Sequence, residues 1–554
     1  MKRIPLGISE FKTIIEDDYL FVDKSLLIKE FWESNGQTIL VPRPRRFGKT
    51  LNMSMIKYFF ENSSNDNGYL FKGLNIESHK DIMELQGKYP VLYLSFKDEK
   101  HSSFEYLKAG LRNISSKLYQ DHKYCLNTDN IDKEYYNSII NKKADIIDLA
   151  NALKKLSQYV HSYFDKKVLI LVDEYDVPIQ AAYVSNYYNE AIEFMRNFLS
   201  GAFKDNSSLQ RGMITGILSV APESIFSGLN NLKVESILSN NFSDKFGFTE
   251  NEIEKLANEY NVEEKLESIK EWYNGYNFGN TTIYNPWSIL NYLSNPEQGL
   301  KPYWVNSSSN DLVGILLSKG SKEVKKNLED LVSGNNIEKI IDENIVMGDI
   351  EKSTDNLWSF LLFTGYLKVN FKERKGLKDY YTLSIPNLEV TTLYYDLIEK
   401  WFEDTITKEN YELMINSLVT GDIKIFGKLL KQFVLKSISY FDVGGYEGEK
   451  VYHAFVLGMI VSLSDEYEVK SNKESGYGRY DVMLIPKDTS KMGIVMEFKK
   501  IDDFLNITIE EATIAALKQI EDMKYAQELM SREIKDIIKL AIVFKGKEIK
   551  ITEA

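Results

Sequence analysis

Four short stretches of this sequence carry residues whose types and spacing could do chemistry. "RPRRFGKT", residues 43–50, ends in Gly48-Lys49-Thr50 and leads into a helix-like pattern. "VLILVDE" places Asp173 and Glu174 at the end of an apolar run of strand length. "DVMLIP" and "GIVMEFKK", near the C-terminus, carry Asp481, Glu497 and Lys499. The first two stretches have the residue types a phosphate-binding site needs, and the last two have those a divalent-cation site needs.

In the loop pattern G-x-x-x-x-G-K-[ST], backbone N–H groups and a helix N-terminus converge on phosphate oxygens. The lysine pairs with those oxygens and the hydroxyl ligates Mg²⁺. Gly48, Lys49 and Thr50 fill these places, but Arg43 stands where the pattern asks for glycine. Arginine cannot take a positive φ as cheaply as glycine, and Pro44 after it favours extended backbone. The start of the loop is therefore expected to be reshaped, with Arg45 and Arg46 supplying charge to the phosphates. Three of the chain's ten arginines lie in this loop. A plain basic surface turn is the competing reading of the loop by itself.

Asp173 and Glu174 weigh against that turn. They sit at the carboxyl end of a buried strand, where ligands of open α/β sheets bind. An Asp there holds Mg²⁺ through water, and the adjacent Glu orients or deprotonates an attacking water. Thr215, inside "GMITGIL", is either a polar reporter beside the γ-phosphate or a buried threonine bonded to backbone.

In "IVMEFK", strand alternation sets Glu497 and Lys499 on one face. Asp481 and Glu497 are equidistant from residue 489, so an antiparallel register centred there opposes the two carboxylates. Like charges opposed across strands are destabilising unless a cation sits between them. Two carboxylates with a lysine one step away make an Mg²⁺ site suited to phosphodiester hydrolysis. A register offset by two would instead leave a charged solvent face. Glu474 either completes the shell or caps a turn. Glu449 and His453, spaced i, i+4 on "GEKVYHAFVLGMIV", could face the hairpin, although His453 equally suits a packing role. Gln519 and Tyr525 are read on the helix "ALKQIEDMKYAQEL".

The elements that must position these residues follow from periodicity. Residues 38–42, 89–96, 168–173 and 212–218 read as strands. Helical patterns at 103–121 and 145–164 alternate with them, which predicts a mainly parallel, three-layer α/β domain. From about residue 247 the pattern turns helical, opening on a capping box of Thr249 and Glu252. Residues 271–310 are dense in aromatics, Asn and Gly and read as turns and caps. Residues 354–386 read helix, strand, polar loop, strand, an order compatible with a winged-helix unit. "FDVGGYEGEK" is a Gly-rich candidate boundary. Beyond it the order is helix, strands, helix, strand.

Composition narrows the classes. A chain of 554 residues is too long for one core and implies several domains. The lone Cys125 excludes a disulfide framework, and the five histidines lack ligand-like spacing for structural zinc. A net charge of −13 speaks against coating nucleic acid by bulk charge, without excluding a local site held by a metal ion. No signal-like apolar segment and no run of 18 apolar residues occurs, so the expectation is a soluble, cytoplasmic protein with no membrane partner.

Taken in order, "RPRRFGKT", "LILVDEYD", "ITGIL…ESIFSGLNNL", "WYNGYNF…YNPWSIL", "SNKESGYGRYD" and "MEFK" resemble the bacterial AAA-ATPase-like proteins that end in a PD-(D/E)XK nuclease-superfamily domain. That family's loop itself reads R-P-R-R-x-G-K-[ST], which absorbs Arg43. The resemblance implies an α/β fold class: a P-loop AAA+-type ATPase core with helical lid and winged-helix-like segment, followed by a restriction-endonuclease-like α/β domain. The corresponding ranges are 1–245 for the core, 246–400 for the lid and winged-helix-like region, 401–445 for a helical connector and 446–554 for the nuclease-like domain. The long gap from Lys49 to Asp173 implies inserted helices at 97–165.

The resemblance further implies ATP and Mg²⁺ as cofactors. Lys49 and Thr50 match its Walker A motif, Asp173 and Glu174 its Walker B motif, and Asp481, Glu497 and Lys499 its nuclease D…E-x-K motif. The implied function is an ATP-binding and ATP-hydrolysing protein coupled to an Mg²⁺-dependent nuclease with DNA as partner. A homo-oligomer is a further expectation, with Arg196 and Arg211 as candidates to reach a neighbour's nucleotide. The competing function is an NTP-gated scaffold that docks nucleic acid or protein without cutting. The acidic balance favours the scaffold, and the intact D…E-x-K set opposes it.

Overall fold

Thr38–Pro42 (β1) and Val168–Asp173 (β3) are buried at every position, the mark of strands covered on both faces. With Val91–Ser95 (β2), Leu209–Gly216 (β4) and Leu232–Val234 (β5) they form one sheet of order β2-β3-β4-β1-β5. Every neighbouring pair is parallel, so each connection must cross over, and helices supply the crossovers from β1 through to β4. Lys49–Phe60 leads from β1 towards β2. Phe104–Asp121, Lys133–Ile140 and Ile146–Phe164 separate β2 from β3 and are the helices expected within 97–165. Ser103, Asp132 and Asp145 start these three by accepting backbone N–H bonds.

The computed structural model describes the chain apart from residues 64–65, 129–130, 219–230, 308–309, 346, 404–405, 442–447, 476–477, 502–506 and 546–547. Side chains at 311, 322, 351–352, 402–403, 436–441, 448–454, 472–475, 478–480 and 500 are also outside the description. The proposed boundary "FDVGGYEGEK", most of "ESIFSGLNNL" and the side chains of Glu449, His453 and Glu474 therefore lie outside the described residues.

The chain divides into two compact units, Met1–Ser308 with Glu338–Glu389, and Ser309–Ile337 with Val390–Ala554. Residues of the 246–400 segment fall in both. Besides the parallel sheet, the first unit holds the small sheet Phe248–Thr249 (β6), Tyr276–Phe278 (β7) and Thr281–Tyr284 (β8), in the order β6-β8-β7. The Thr249 N–H donates to Glu252 at 2.7 Å, one arm of the expected capping box. Asn285 caps Pro286–Ser294 in the same region. Tyr273, Tyr284 and Tyr292 are core here, packed with Ile253 and Leu256. Ile337–Ile340 (β9), Lys368–Lys375 (β10) and Lys378–Ser384 (β11) form a sheet of order β10-β11-β9. The helix Thr354–Thr364 precedes its hairpin, giving the helix–strand–loop–strand order read at 354–386.

In the second unit Tyr467–Ser475 (β12), Gly478–Pro486 (β13), Gly493–Ile501 (β14), Ile537–Lys545 (β15) and Glu548–Glu553 (β16) lie in sequential order. All pairs are antiparallel except β14 and β15, which the helix Ile509–Asp522 connects as a crossover. Its Ile520 packs with Met483, Val495 and Tyr525 on one face of the sheet. Among the described residues no helix is long and apolar enough to cross a membrane.

Two candidate active sites

The candidate nucleotide site is assembled at the carboxyl ends of β1, β3 and β4. Beyond Pro42 the chain turns sharply into the helix Lys49–Phe60, with Arg46 at φ +68 and Gly48 at φ +81. Arg43 runs inward. Its Nη1 donates to the carbonyls of Pro42 and Glu235, both at 2.8 Å, and its Nη2 to that of Phe242 at 3.1 Å. The guanidinium stands 5.4 Å from the Phe246 ring and 5.1 Å from the Phe278 ring. The residue that breaks the glycine pattern is thus an internal strut, tying the start of the loop to residues 235–242. Replacing it (Arg43→Met) removes a donor from three carbonyls, of which that of Phe242 keeps the Lys245 N–H at 3.4 Å, and is expected to cost about 3 kcal/mol, read as a fall in thermal midpoint.

Lys49 is 4% exposed, and its ammonium caps the loop from inside by donating to the carbonyls of Arg43 at 3.1 Å and Pro44 at 3.0 Å. Asp173, fully buried, accepts Thr215 Oγ1 at 2.6 Å on one oxygen, and Thr50 Oγ1 at 2.8 Å and Ser95 Oγ at 3.4 Å on the other. Sheet order explains this meeting, because β4 lies between the loop strand and the acidic strand, with Thr215 beside Val41. The Thr215 hydroxyl donates to Asp173 and accepts the Glu174 backbone N–H at 3.4 Å, so it is a buried threonine bonded to backbone as well as to the acidic strand. Burial pushes the Asp173 carboxyl up, and the Thr215 and Thr50 hydroxyl bonds pull it back. The oxygen-only set of Thr50 and Asp173 suits a hard cation such as Mg²⁺.

Glu174 sits at φ +54, a costly conformation for a non-glycine residue, and it turns into a cavity of 450 Å³. Arg45, Arg46, Gly48, Lys49 and Thr50 line the same cavity. Arg46 lies over the Trp287 ring at 4.2 Å, and Arg45 Nη2 donates to Gln180 Oε1 at 3.2 Å. The sequence analysis gives no role to Asp176 or Gln180; the signal for the first is a second acid so soon after the buried strand in "LILVDEYD". Arg211 does not line the cavity. It lies early in β4 and donates to the carbonyls of Ser34 and Gly36, at 2.8 and 3.0 Å, before β1 begins. Arg196 lies on the helix Tyr188–Phe203 and does not line the cavity either.

The second site is built on the β13–β14 pair. Val482 faces Met496 and Leu484 faces Ile494, a register centred on residue 489. Continued by one step, it sets Asp481 opposite Glu497. One Asp481 oxygen accepts the Phe498 N–H at 2.7 Å. Glu497 is 2% exposed; its Oε1 accepts from Lys499 at 3.0 Å, while its Oε2 is buried without a hydrogen-bond partner. Burial first, then the neighbouring Asp481 charge, pushes the Glu497 carboxyl up to about 7. Burial also raises Asp481, against the pull of the Phe498 N–H.

Lys499 donates further to Gln519 Oε1 at 2.7 Å, and Gln519 Nε2 donates to the Tyr525 hydroxyl at 3.0 Å. Gln519 is on the crossover helix as read, but Tyr525 is not. The helix ends at Asp522, and Lys524 at φ +52 turns the chain so that Tyr525 folds back to the glutamine. A buried carboxylate oxygen without a partner costs about 1–3 kcal/mol, and a hard cation between the two acids would satisfy it. Among the described residues no group of three or more His, Cys, Asp and Glu side chains gathers into a metal cluster. The acidic donors on view here are thus Asp481 and Glu497.

Fold and sites together define the class: a parallel-sheet, Walker-type α/β module joined to a small mixed-sheet domain with opposed carboxylates. Residues 5–226 match the family described as predicted AAA-ATPase, and residues 447–554 match the PD-(D/E)XK nuclease superfamily. The chain therefore joins a predicted AAA-ATPase domain to a C-terminal PD-(D/E)XK nuclease-superfamily domain. It is 25% identical over 545 residues to an uncharacterized protein in the vnfD 5' region of Azotobacter chroococcum mcd 1, covering 96% of this chain and 94% of that one. A Walker-type ATPase of Pyrococcus abyssi aligns with a TM-score of 0.35 at 14% identity, over 67% of this chain and 94% of that chain.

Proposed function

We propose that the chain hydrolyses ATP at the first site and cleaves DNA at the second, the nucleotide cycle controlling the nuclease. The observation that carries the nuclease half is the partnerless, buried Glu497 Oε2 beside Asp481. A scaffold has no need to keep such an oxygen buried, whereas a cation site does. Asp481, Glu497 and the Phe498 carbonyl would hold Mg²⁺, which when bound supplies charge stabilisation at a phosphodiester. Lys499, fixed between Glu497 and Gln519, orients the attacking water.

At the first site the loop N–H groups and Lys49 would bind the phosphates, Thr50 and Asp173 would hold the Mg²⁺ that accompanies ATP, and Glu174 would orient the water. Thr215, bonded to Asp173, reports on that end of the nucleotide. The alternative, a gated scaffold without cleavage, has the acidic net charge of −13 in its favour.

Calorimetric titration of Mn²⁺ into the full chain, without nucleotide, tests the cation site. Binding to the wild type that disappears in Asp481→Ala is expected, and equal binding by both would remove the basis for cleavage. The titration has a defined pH dependence. Glu497 ionises near 7, so below that pH a proton competes with the cation. Affinity is expected to fall by roughly tenfold per pH unit below 7 and to level off above it.

A further inference from the structure

The side chains around Gln180 form a directed chain that ends on a loop arginine. Asp176 is 1% exposed, and its Oδ2 accepts the backbone N–H groups of Ile217 at 2.9 Å and Leu218 at 3.1 Å. These are the residues just beyond β4, the strand that carries Thr215. The same oxygen accepts Gln180 Nε2 at 2.8 Å. An oxygen that already accepts two backbone N–H groups is an acceptor, so the glutamine presents its amino group to Asp176 and its carbonyl oxygen away from it. That oxygen is the one that receives Arg45 Nη2, at 3.2 Å. The backbone of Arg45 is held as well, its carbonyl accepting from Trp304 Nε1 at 3.1 Å. Arg45 and Asp176 both line the cavity that contains Lys49, Thr50 and Glu174.

Two features show that the arrangement serves more than packing. Asp176 concentrates three donors on one oxygen and leaves Oδ1 buried with no partner. Gly216 makes room for that oxygen, since a Cβ there would come within 2.7 Å of it. A carboxylate kept in this lopsided state beside the cavity holds the glutamine amide in one orientation.

We infer that Asp176 and Gln180 are positioning residues that brace Arg45 as an arginine for the γ-phosphate, supplied by this chain itself. The inference rests on the ATP reading of the first site and deepens it. A guanidinium has five N–H groups in a rigid fork, and Gln180 occupies one end of that fork. The remaining donors are left for phosphate oxygens in a fixed orientation, so little rotamer freedom is lost when the third phosphate arrives. Because Asp176 is itself held by the end of β4, the brace and Thr215 report on the same phosphate from one strand end.

The test measures binding of fluorescent ATP and ADP analogues to the full chain with Mg²⁺, in the wild type, Gln180→Leu, Arg45→Lys and the double variant. In Gln180→Leu, ATP affinity is expected to fall about tenfold, with ADP affinity and thermal midpoint changing by less than about twofold and 2 °C. Arg45→Lys should show the same selective loss, and the double variant should lose no more than the worse single one. Wild-type preference for ATP in Gln180→Leu would overturn the brace, as would additive losses in the double variant. Equal losses of ATP and ADP would make Gln180 merely structural and overturn it too. A wild type that binds neither nucleotide would refute the ATPase reading and the brace with it.

Discussion

Lys49→Ala is expected to abolish ATP turnover and to weaken nucleotide binding by about 10²–10³-fold. The ammonium is almost completely buried and held by two loop carbonyls, so it is preorganised at the floor of the phosphate cradle. Burial lowers its proton affinity, while Glu174, Asp176 and Asp173 nearby raise it. An alanine there removes a buried cation at the start of the helix and leaves the carbonyls of Arg43 and Pro44 short of a donor. Equilibrium binding of labelled ATP together with phosphate release separates the two losses. Turnover within threefold of the wild type would show that the loop does not hold the phosphates.

Glu497→Gln is expected to reduce DNA cleavage by about 10³-fold or more while leaving the protein at least as stable near pH 8. The glutamine keeps the shape and loses the charge that a cation needs. The stability side follows from the sign of the titration. The folded carboxyl ionises near 7 against an ordinary 4.5, so the fold favours its protonated form. That stabilisation is fully present below about pH 4.5 and is lost as pH rises through 7. A neutral glutamine does not suffer the loss. Thermal melts of both proteins between pH 5 and 8 should therefore converge at the acid end and separate at the alkaline end. A Gln variant that melts well below the wild type at pH 8 would mean that Glu497 is a structural acid.

Much of this was legible in the residues, and the reasons are physical. The buried strands at 38–42 and 168–173 announce themselves as short apolar runs, because both faces of a parallel sheet are covered. The β13–β14 register is the one centred on residue 489; alternation alone left a register offset by two open, because the long loop between Leu484 and Ile494 does not fix the pairing. Some features were not legible. β5 is three half-buried residues paired only to β1, too short to show a period. The Thr50–Asp173–Thr215 cluster depends on β4 lying between β1 and β3, and strand order is a long-range property.

Arg43 looked like a defect in a phosphate loop. Only its three carbonyl partners, two of them about 190 to 200 residues further along the chain, show why an arginine belongs there. Tyr525 was assigned to a helix because its spacing suits one, but the left-handed turn at Lys524 is invisible in a lysine. The Gln180 brace escaped for the opposite reason, since each of its residues looks ordinary alone.

The central claim, that two opposed carboxylates make this chain a nuclease under nucleotide control, is tested most directly by one incubation. Purified full chain is mixed with plasmid and with single-stranded DNA, in Mg²⁺ or Mn²⁺, with and without ATP, and Asp481→Ala is run beside it. The account predicts metal-dependent cleavage by the wild type, lost in the variant and changed in rate by ATP. Intact DNA throughout, or cleavage that persists in Asp481→Ala, would contradict it and leave the gated scaffold as the better description.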